Sequence, residues 1–232
     1  MRAPGPLLAR GREADIFEYG PGLVLRRSRE GRSMALEARV MDYLAGEGYP
    51  VPAVVEVSDD GTAMVLERIE GPTMVDYLSG RPWTIPRQGR SLAELHNRLH
   101  EISAPAWLDN ASAGAGDTLL HLDLHPLNVL VTKKGPVVID WAGACRGDPA
   151  VDVALAWVLM ACGSVETNRL VAAVLGRARA VLVRSFLSGI DVAPVRSVMR
   201  DVVARKVLDP HMSDAEQAQM WQLVADIDAG RA

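Results

Sequence analysis

The chain has 232 residues, 49% of them hydrophobic and 23% charged, with a formal net charge of -4. That is long enough for one large domain or two small ones with a real core, in the composition of an ordinary soluble globular protein. An acidic balance with only 5% aromatic residues supplies neither the basic footprint nor the stacking platform of a nucleic-acid binder, so nucleic acid is excluded as a partner.

In chain order, the first seventeen residues, MRAPGPLLARGREADIF, hold too short an apolar stretch for a signal peptide. From Leu7 to about Ile69 the pattern is one of short β-type runs, ADIFEY, GLVLRRS and TAMVLERI, separated by turn signals at Gly20-Pro21-Gly22 and Asp59-Asp60-Gly61. One helix interrupts them. The stretch MALEARVMDYLAGEG sets Ala35, Leu36, Ala38, Val40, Met41 and Leu44 near one broad face and ends at Gly46 or Gly48.

After Glu70-Gly71-Pro72 the texture turns helical. A helical stretch runs from about Pro86 to Ile102, and Ser91-Leu-Ala-Glu94 inside it is a capping-box pattern that either starts a helix or is coincidental. Further helices are predicted over AVDVALAWVLMACG and from Glu166 to Leu187, and Ser213-Asp-Ala-Glu216 is a cleaner box opening a last helix through about Ile227. The longest apolar runs, 151–162 and 170–187, contain Asp152 in one and Arg177, Arg179 and Arg184 in the other, which speaks against a membrane span. Cys145 and Cys162 lack the spacing of a metal clip or redox pair, and two buried thiols point to a reducing, cytoplasmic setting.

One apolar stretch carries polar residues that packing does not need. HLDLHPLNVLV contains His121, Asp123, His125 and Asn128. Downstream, Asn128–Thr132 and Pro136–Asp140 read as two short strands joined at Lys133-Lys-Gly135. Such a hairpin brings Asn128 and Asp140 to one end, as two oxygen donors suited to a hard cation such as Mg2+. Asp123, five residues before Asn128, is then placed to take a proton from a hydroxyl nucleophile. His121, Asp123, Leu124 and Asn128 also match the H-x-D-L-x-x-x-N catalytic loop of kinases, with a metal-binding aspartate due a hairpin later.

With HLDLHPLN, VVIDW and GDPAVDVA in that order, the chain resembles the aminoglycoside phosphotransferase and choline kinase family, the small-molecule branch of the protein-kinase-like fold. The resemblance implies an α+β, bilobal fold: a small strand-rich N-lobe with one main helix, residues 1–70, and a mostly helical C-lobe, residues 71–232, carrying catalytic loop, metal site and acceptor site. It implies a phosphate cover around Gly11, where protein kinases carry three glycines. Leu23-Val-Leu-Arg26 falls on the strand of the phosphate-binding lysine, so Arg26 takes that role with Glu37 as its helix partner. The backbone of Glu67 and Ile69 is implied to read the adenine edge. His121 is implied to brace the catalytic loop, and His125 is assigned a loop hydrogen bond rather than proton transfer. Asp148 and Asp152 are read as caps or braces of the turn after the metal aspartate.

The implied activity is in-line transfer of the γ-phosphoryl group of ATP, or GTP, to a hydroxyl of a small molecule, with Mg2+ held by Asn128 and Asp140. A nucleotide-binding or regulatory protein of the same fold is the alternative. No A-P-E segment or long activation loop follows Asp140, so no platform for a protein substrate is expected. Acidic candidates to attract a cationic acceptor are Glu166, Asp191, Asp201 and Asp209. Only about fifty residues separate Ile69 from His121, so the helices that wall the acceptor pocket are expected to be short. No membrane partner is expected, and acceptor identity and oligomeric state are left open.

Overall fold

Short β-branched and apolar runs near the amino terminus form an antiparallel sheet in the computed structural model, which describes residues 1–11, 13–110, 114–162, 169–210 and 212–231. The strands are β1 (Leu7–Arg10), β2 (Ala14–Glu18), β3 (Leu23–Ser28), β4 (Val54–Val57) and β5 (Ala63–Glu67), in spatial order β1-β2-β3-β5-β4. Register sets Phe17 against Leu25 and Leu25 against Val65. Tyr19, Leu25, Ala63 and Val65 form a buried cluster flanked by Phe17 and Leu23. Ala63–Leu66 are buried at every position, which is why that run is apolar without the alternation of a half-solvated strand.

Helix α1 (Ala35–Gly46) is stopped by a left-handed turn at Gly48. The Gly48 N–H donates to the Ala45 carbonyl and the Tyr49 N–H to that of Leu44, the paired bonds of a Schellman cap, in which glycine takes the positive φ without steric cost. The predicted apolar face of this helix needs correction at its first turn. Ala38, Val40, Met41 and Leu44 are buried, but Ala35 and Leu36 are exposed and Glu37 takes the inward position. A charged partner in the same unit holds Glu37 there, and hydrophobic periodicity alone does not see it.

By compactness the chain divides into residues 1–73 with 128–144 and residues 74–127 with 145–232. The first unit therefore includes a second hairpin, β7 (Val129–Thr132) and β8 (Gly135–Val138). Its outer bonds run from the Val131 N–H to the Pro72 carbonyl and from the Val138 N–H to the Pro50 carbonyl.

The second unit is helical, with α2 (Met74–Gly80), α3 (Ile85–His100), α4 (Pro149–Cys162), α5 (Arg169–Leu187), α6 (Val192–Lys206) and α7 (Asp214–Asp228). Two three-residue strands, β6 (Thr118–Leu120) and β9 (Cys145–Gly147), pair antiparallel within it. Helix α4 is apolar nearly all round and packs against α5, α6 and α7, as a central helix must. The Ser213 box is formed in full, side chain to Glu216 N–H and Glu216 back to Ser213. Ser91 and Glu94 instead lie in the interior of α3, so that box is coincidental and the helix starts earlier, at Ile85 with Pro86 in its first turn. Among the described residues no helix is long and apolar enough to cross a membrane. Cys145 and Cys162 are both free thiols; Cys162 is buried as expected, whereas Cys145 on β9 is only partly buried.

Candidate active site

The segment between β6 and β7 has an unusual backbone held by one buried acid. Leu122 has φ 62°, a left-handed conformation that costs a branched residue roughly 1–2 kcal/mol. The Asp152 carboxylate, from the first turn of α4 and fully buried, accepts the N–H of Leu122 at 2.6 Å and that of His121 at 3.2 Å. His100 Nε2 donates to the same carboxylate at 3.0 Å. From the next turn of α3, His96 Nε2–H donates to the Leu124 carbonyl at 3.1 Å. Four consecutive loop residues are thus pinned or flanked by α3 and α4, the over-determination that a strained backbone requires.

These contacts shift the buried groups strongly. Burial works to raise the Asp152 pKa, but the His100 hydrogen bond and the surrounding imidazoles outweigh it and hold the acid well below the usual carboxylate range. Burial pushes His96 down to about 4, so it is neutral near pH 7. The sequence pattern assigns Asp148 and Asp152 as braces of the turn after Asp140. Asp148 is one, accepting the Ala150 N–H at 2.9 Å; Asp152 reaches the loop instead. His96 and His100 are not among the sequence-predicted site residues, although a His pair four residues apart on a helix is a readable signal.

The loop presents Asp123 with its carboxylate half-exposed. Its N–H donates to His121 Nδ1 at 3.2 Å, which fixes the His121 proton on Nε2; the ring is fully buried. His125 Nδ1 accepts the Leu127 N–H at 3.3 Å. Its Nε2 therefore carries the proton and lies 3.3 Å from Asp123 Oδ1.

In the first unit, Asn128 closes a 3-10 turn, Pro126–Asn128, just before β7, and Asp140 lies two residues past β8. The Ile139 N–H donates to the Asn128 carbonyl at 3.0 Å, so the two residues sit at the same end of the hairpin. Asp140 takes φ 69°, a region in which short polar residues are the most tolerant after glycine. Arg26 on β3 bridges two acids there, hydrogen-bonding Glu37 of α1 and donating to Asp140 Oδ1 at 2.8 Å. Glu37 also accepts the Trp141 N–H at 3.1 Å, and Trp141 is buried edge-on to Tyr49. Burial pulls the Arg26 pKa down, yet Glu37 and Asp140 outweigh it and the net shift is upward. Burial, with repulsion from Asp140, moves Glu37 above its ordinary value against the pull of Arg26. One carboxylate and one amide at a hairpin end are the donor set Mg2+ takes from a protein when phosphates and water supply the rest. The residues fit that ion, with one Asp140 oxygen already on Arg26.

Gly11 lies in the β1–β2 turn, donating to the Ala14 carbonyl at 2.9 Å. A Cβ there would stand 2.7 Å from that same oxygen, so the tight turn requires glycine. Glu67 ends β5, exposed, its N–H on the Ala53 carbonyl, and Ile69 follows half-buried. Among the acidic acceptor candidates, Asp191 caps α6 by accepting the Ala193 N–H at 3.2 Å. Asp209 pairs with Lys206 at 2.9 Å, and Asp201 is exposed on α6. Glu166 lies outside the described residues.

Solved structures share the fold at low identity. A choline/ethanolamine kinase family protein from Mesorhizobium loti is 19% identical, over 97% of this chain and 87% of its own, with a TM-score of 0.60. A thermostable mutant of aminoglycoside phosphotransferase APH(4)-Ia, in a ternary complex with AMP-PNP and hygromycin B, is 16% identical over 95% and 92%, with a TM-score of 0.66. The streptomycin–ATP–APH(2")-IIa complex is 14% identical over 87% and 83%, with a TM-score of 0.56. No curated protein matches the sequence significantly. The sequence model of the phosphotransferase enzyme family matches residues 7–117 and 104–189; together with the protein-kinase-like architecture these neighbours share, that match makes the chain a member of the phosphotransferase enzyme family.

Proposed function

We propose that this phosphotransferase moves the γ-phosphoryl group of ATP, or GTP, to a hydroxyl of a small molecule. The observation that carries the reading is the Asp152-held loop, which spends a buried charge and a strained backbone to present the half-exposed Asp123. Structure of that kind is characteristic of a functional site rather than of packing.

Asp123 orients the acceptor hydroxyl and takes its proton late in transfer. His125 steadies the carboxylate through its Nε2–H, and His121 braces the loop from within. Asn128 and Asp140 are the residues that would hold Mg2+, which when bound neutralises charge on the phosphate oxygens. Arg26, oriented by Glu37, contacts the phosphates, the turn at Gly11 covers them, and the backbone of Glu67 and Ile69 meets the base. The acceptor is a small hydroxyl compound of the broad kind seen in neighbours bound to hygromycin B or streptomycin. Two free thiols fit a reducing cytoplasmic setting.

The test is nucleotide consumption with magnesium and ATP or GTP, against a panel of aminoglycosides, macrolides, choline, amino alcohols and amino sugars. Asp123→Ala is expected to lower acceptor-dependent turnover by roughly 100- to 10,000-fold with nucleotide binding retained; unchanged turnover removes Asp123 from its role. A second reading, a noncatalytic nucleotide binder, draws on the Arg26 contact that occupies one oxygen of Asp140. Bound nucleotide with no turnover across the panel would favour it.

A further inference from the structure

Beneath the loop, two imidazoles and a carboxylate converge in a way that hydrogen bonding within the protein does not complete. His96 and His100 stand four residues apart on α3, on one face of the helix, with Asp152 of α4 opposite. His100 Nε2 lies 3.0 Å and His96 Nδ1 4.0 Å from the same oxygen, Asp152 Oδ2. One donor atom from each residue lies within 4.8 Å of the other two. Because His96 Nε2 donates its proton to the Leu124 carbonyl, Nδ1 presents a bare lone pair. That atom is buried and has no hydrogen-bond partner among the described residues. Asp152 Oδ2, the acceptor facing that lone pair, already takes the His100 Nε2–H and the His121 N–H, so it is His96 Nδ1 that is left without a donor, a place a cation between the two would fill.

We infer that His96 Nδ1, His100 Nε2 and Asp152 Oδ2 are the protein ligands of a buried divalent transition-metal ion of the Zn2+ class, whose binding displaces to solvent the Nε2 proton that His100 otherwise donates to Asp152, the ring then keeping its proton on Nδ1. Ligands at about 2.0–2.1 Å in a tetrahedron are about 3.3–3.4 Å from one another, inside the observed spread. Two imidazole nitrogens with one carboxylate are a donor set for zinc; magnesium and calcium prefer oxygen. Outer partners are already in place: His96 holds its other nitrogen on a backbone carbonyl, and Asp152 Oδ1 receives the Leu122 N–H, the kind of support that orients metal ligands. The ring of His96 is further fixed edge-on to His100 and Phe186. Three protein ligands leave the fourth position to water. The ion joins α3, α4 and the loop backbone of residues 121–124, and it stands independently of the phosphoryl-transfer reading.

The experiment uses the full chain without an affinity tag, stripped by chelator and refolded with Zn2+ alone, then with Co2+ as a spectroscopic probe. One equivalent of zinc per chain is expected by elemental analysis, with a tetrahedral Co2+ absorption band and a higher melting temperature with zinc. His96→Leu and His100→Gln, checked for folding by circular dichroism, are each expected to weaken zinc affinity by ~100-fold or more and to abolish the cobalt band. Substoichiometric zinc in the unsubstituted protein, or equal affinity in it and the variants, overturns the site. Should His96→Leu fail to fold, the partly exposed His100→Gln and the 15N signal of His96 Nδ1 carry the test. Failure of one equivalent of zinc to move that signal, or a doubly protonated His96 in the presence of zinc, refutes the assignment.

Discussion

The molecule holds two sets of buried charges by different means. Around Asp152 a single carboxylate is surrounded by donors: two backbone N–H groups and one imidazole. Around Arg26 a guanidinium lies between two carboxylates, one of them half-exposed. The first arrangement stabilises an anion through oriented dipoles and drives its pKa down; the second balances charge against charge and leaves Glu37 shifted upward. Oriented backbone donors fix a loop, whereas an ion triad with one half-exposed member stays open to solvent at that end. Under the proposed function, rigidity at the loop and a solvent-open charge at the hairpin end are what phosphoryl transfer would ask of those two places.

Removing the centre of the first set gives the largest expected effect. Asp152→Ala leaves two loop N–H groups and His100 without their acceptor and is expected to cost about 4 kcal/mol in cooperative unfolding, with turnover lost as the loop relaxes. A loss below about 1 kcal/mol, the scale of one ordinary hydrogen bond, would mean that the loop is held by something else. Arg26→Met is expected to cost less, about 2 kcal/mol at neutral pH, because Glu37 is left buried beside Asp140 without its counter-charge. The sign of its pH dependence follows from the raised Glu37 pKa. Folding favours the protonated acid, so that stability is full below the unfolded value near 4.3 and is lost as pH rises through the folded one. Urea melts at acid and neutral pH should therefore show the variant closer to the parent at acid pH; a constant gap would break the distinction between the two sets.

The smallest effect concerns the thiols. Burial pushes Cys145 up to about 12, with the charge of Asp152 adding to it, and pushes Cys162 to about 11. Both are unreactive as thiolates at neutral pH. The stability tied to their neutral burial is intact below the unfolded value near pH 8.5 and drains as pH rises toward the folded values. Labelling rates against pH should show Asp152→Asn lowering the onset for Cys145 and leaving Cys162 unchanged. Labelling of native Cys145 at pH 8 at the rate of an unfolded chain would contradict its partial burial beside that acid.

What could be read in advance was whatever is written locally. The β-type run GLVLRRS, the Lys133-Lys-Gly135 turn and the Ser213 box each specify a conformation within a dozen residues, the spacing of Asp123, Asn128 and Asp140 underlies the proposed chemistry, and the Arg26–Glu37 pair followed from family resemblance. Ser91 shows the limit of such signals, since its box is chemically identical to that at Ser213 but lies inside a helix that had already begun at Ile85.

The sequence alone determined the class of the protein, the strand-rich start followed by helices, and the loop proposed to carry the chemistry, because these rest on short-range periodicity and on the spacing of a few polar residues. Tertiary structure alone decided that three-residue strands at 118–120 and 145–147 pair, and that Asp152 meets the imidazoles of α3 and the backbone of the loop. Those partners lie tens of residues apart; their contacts leave no local pattern, and only chain packing brings a buried acid to the backbone it holds.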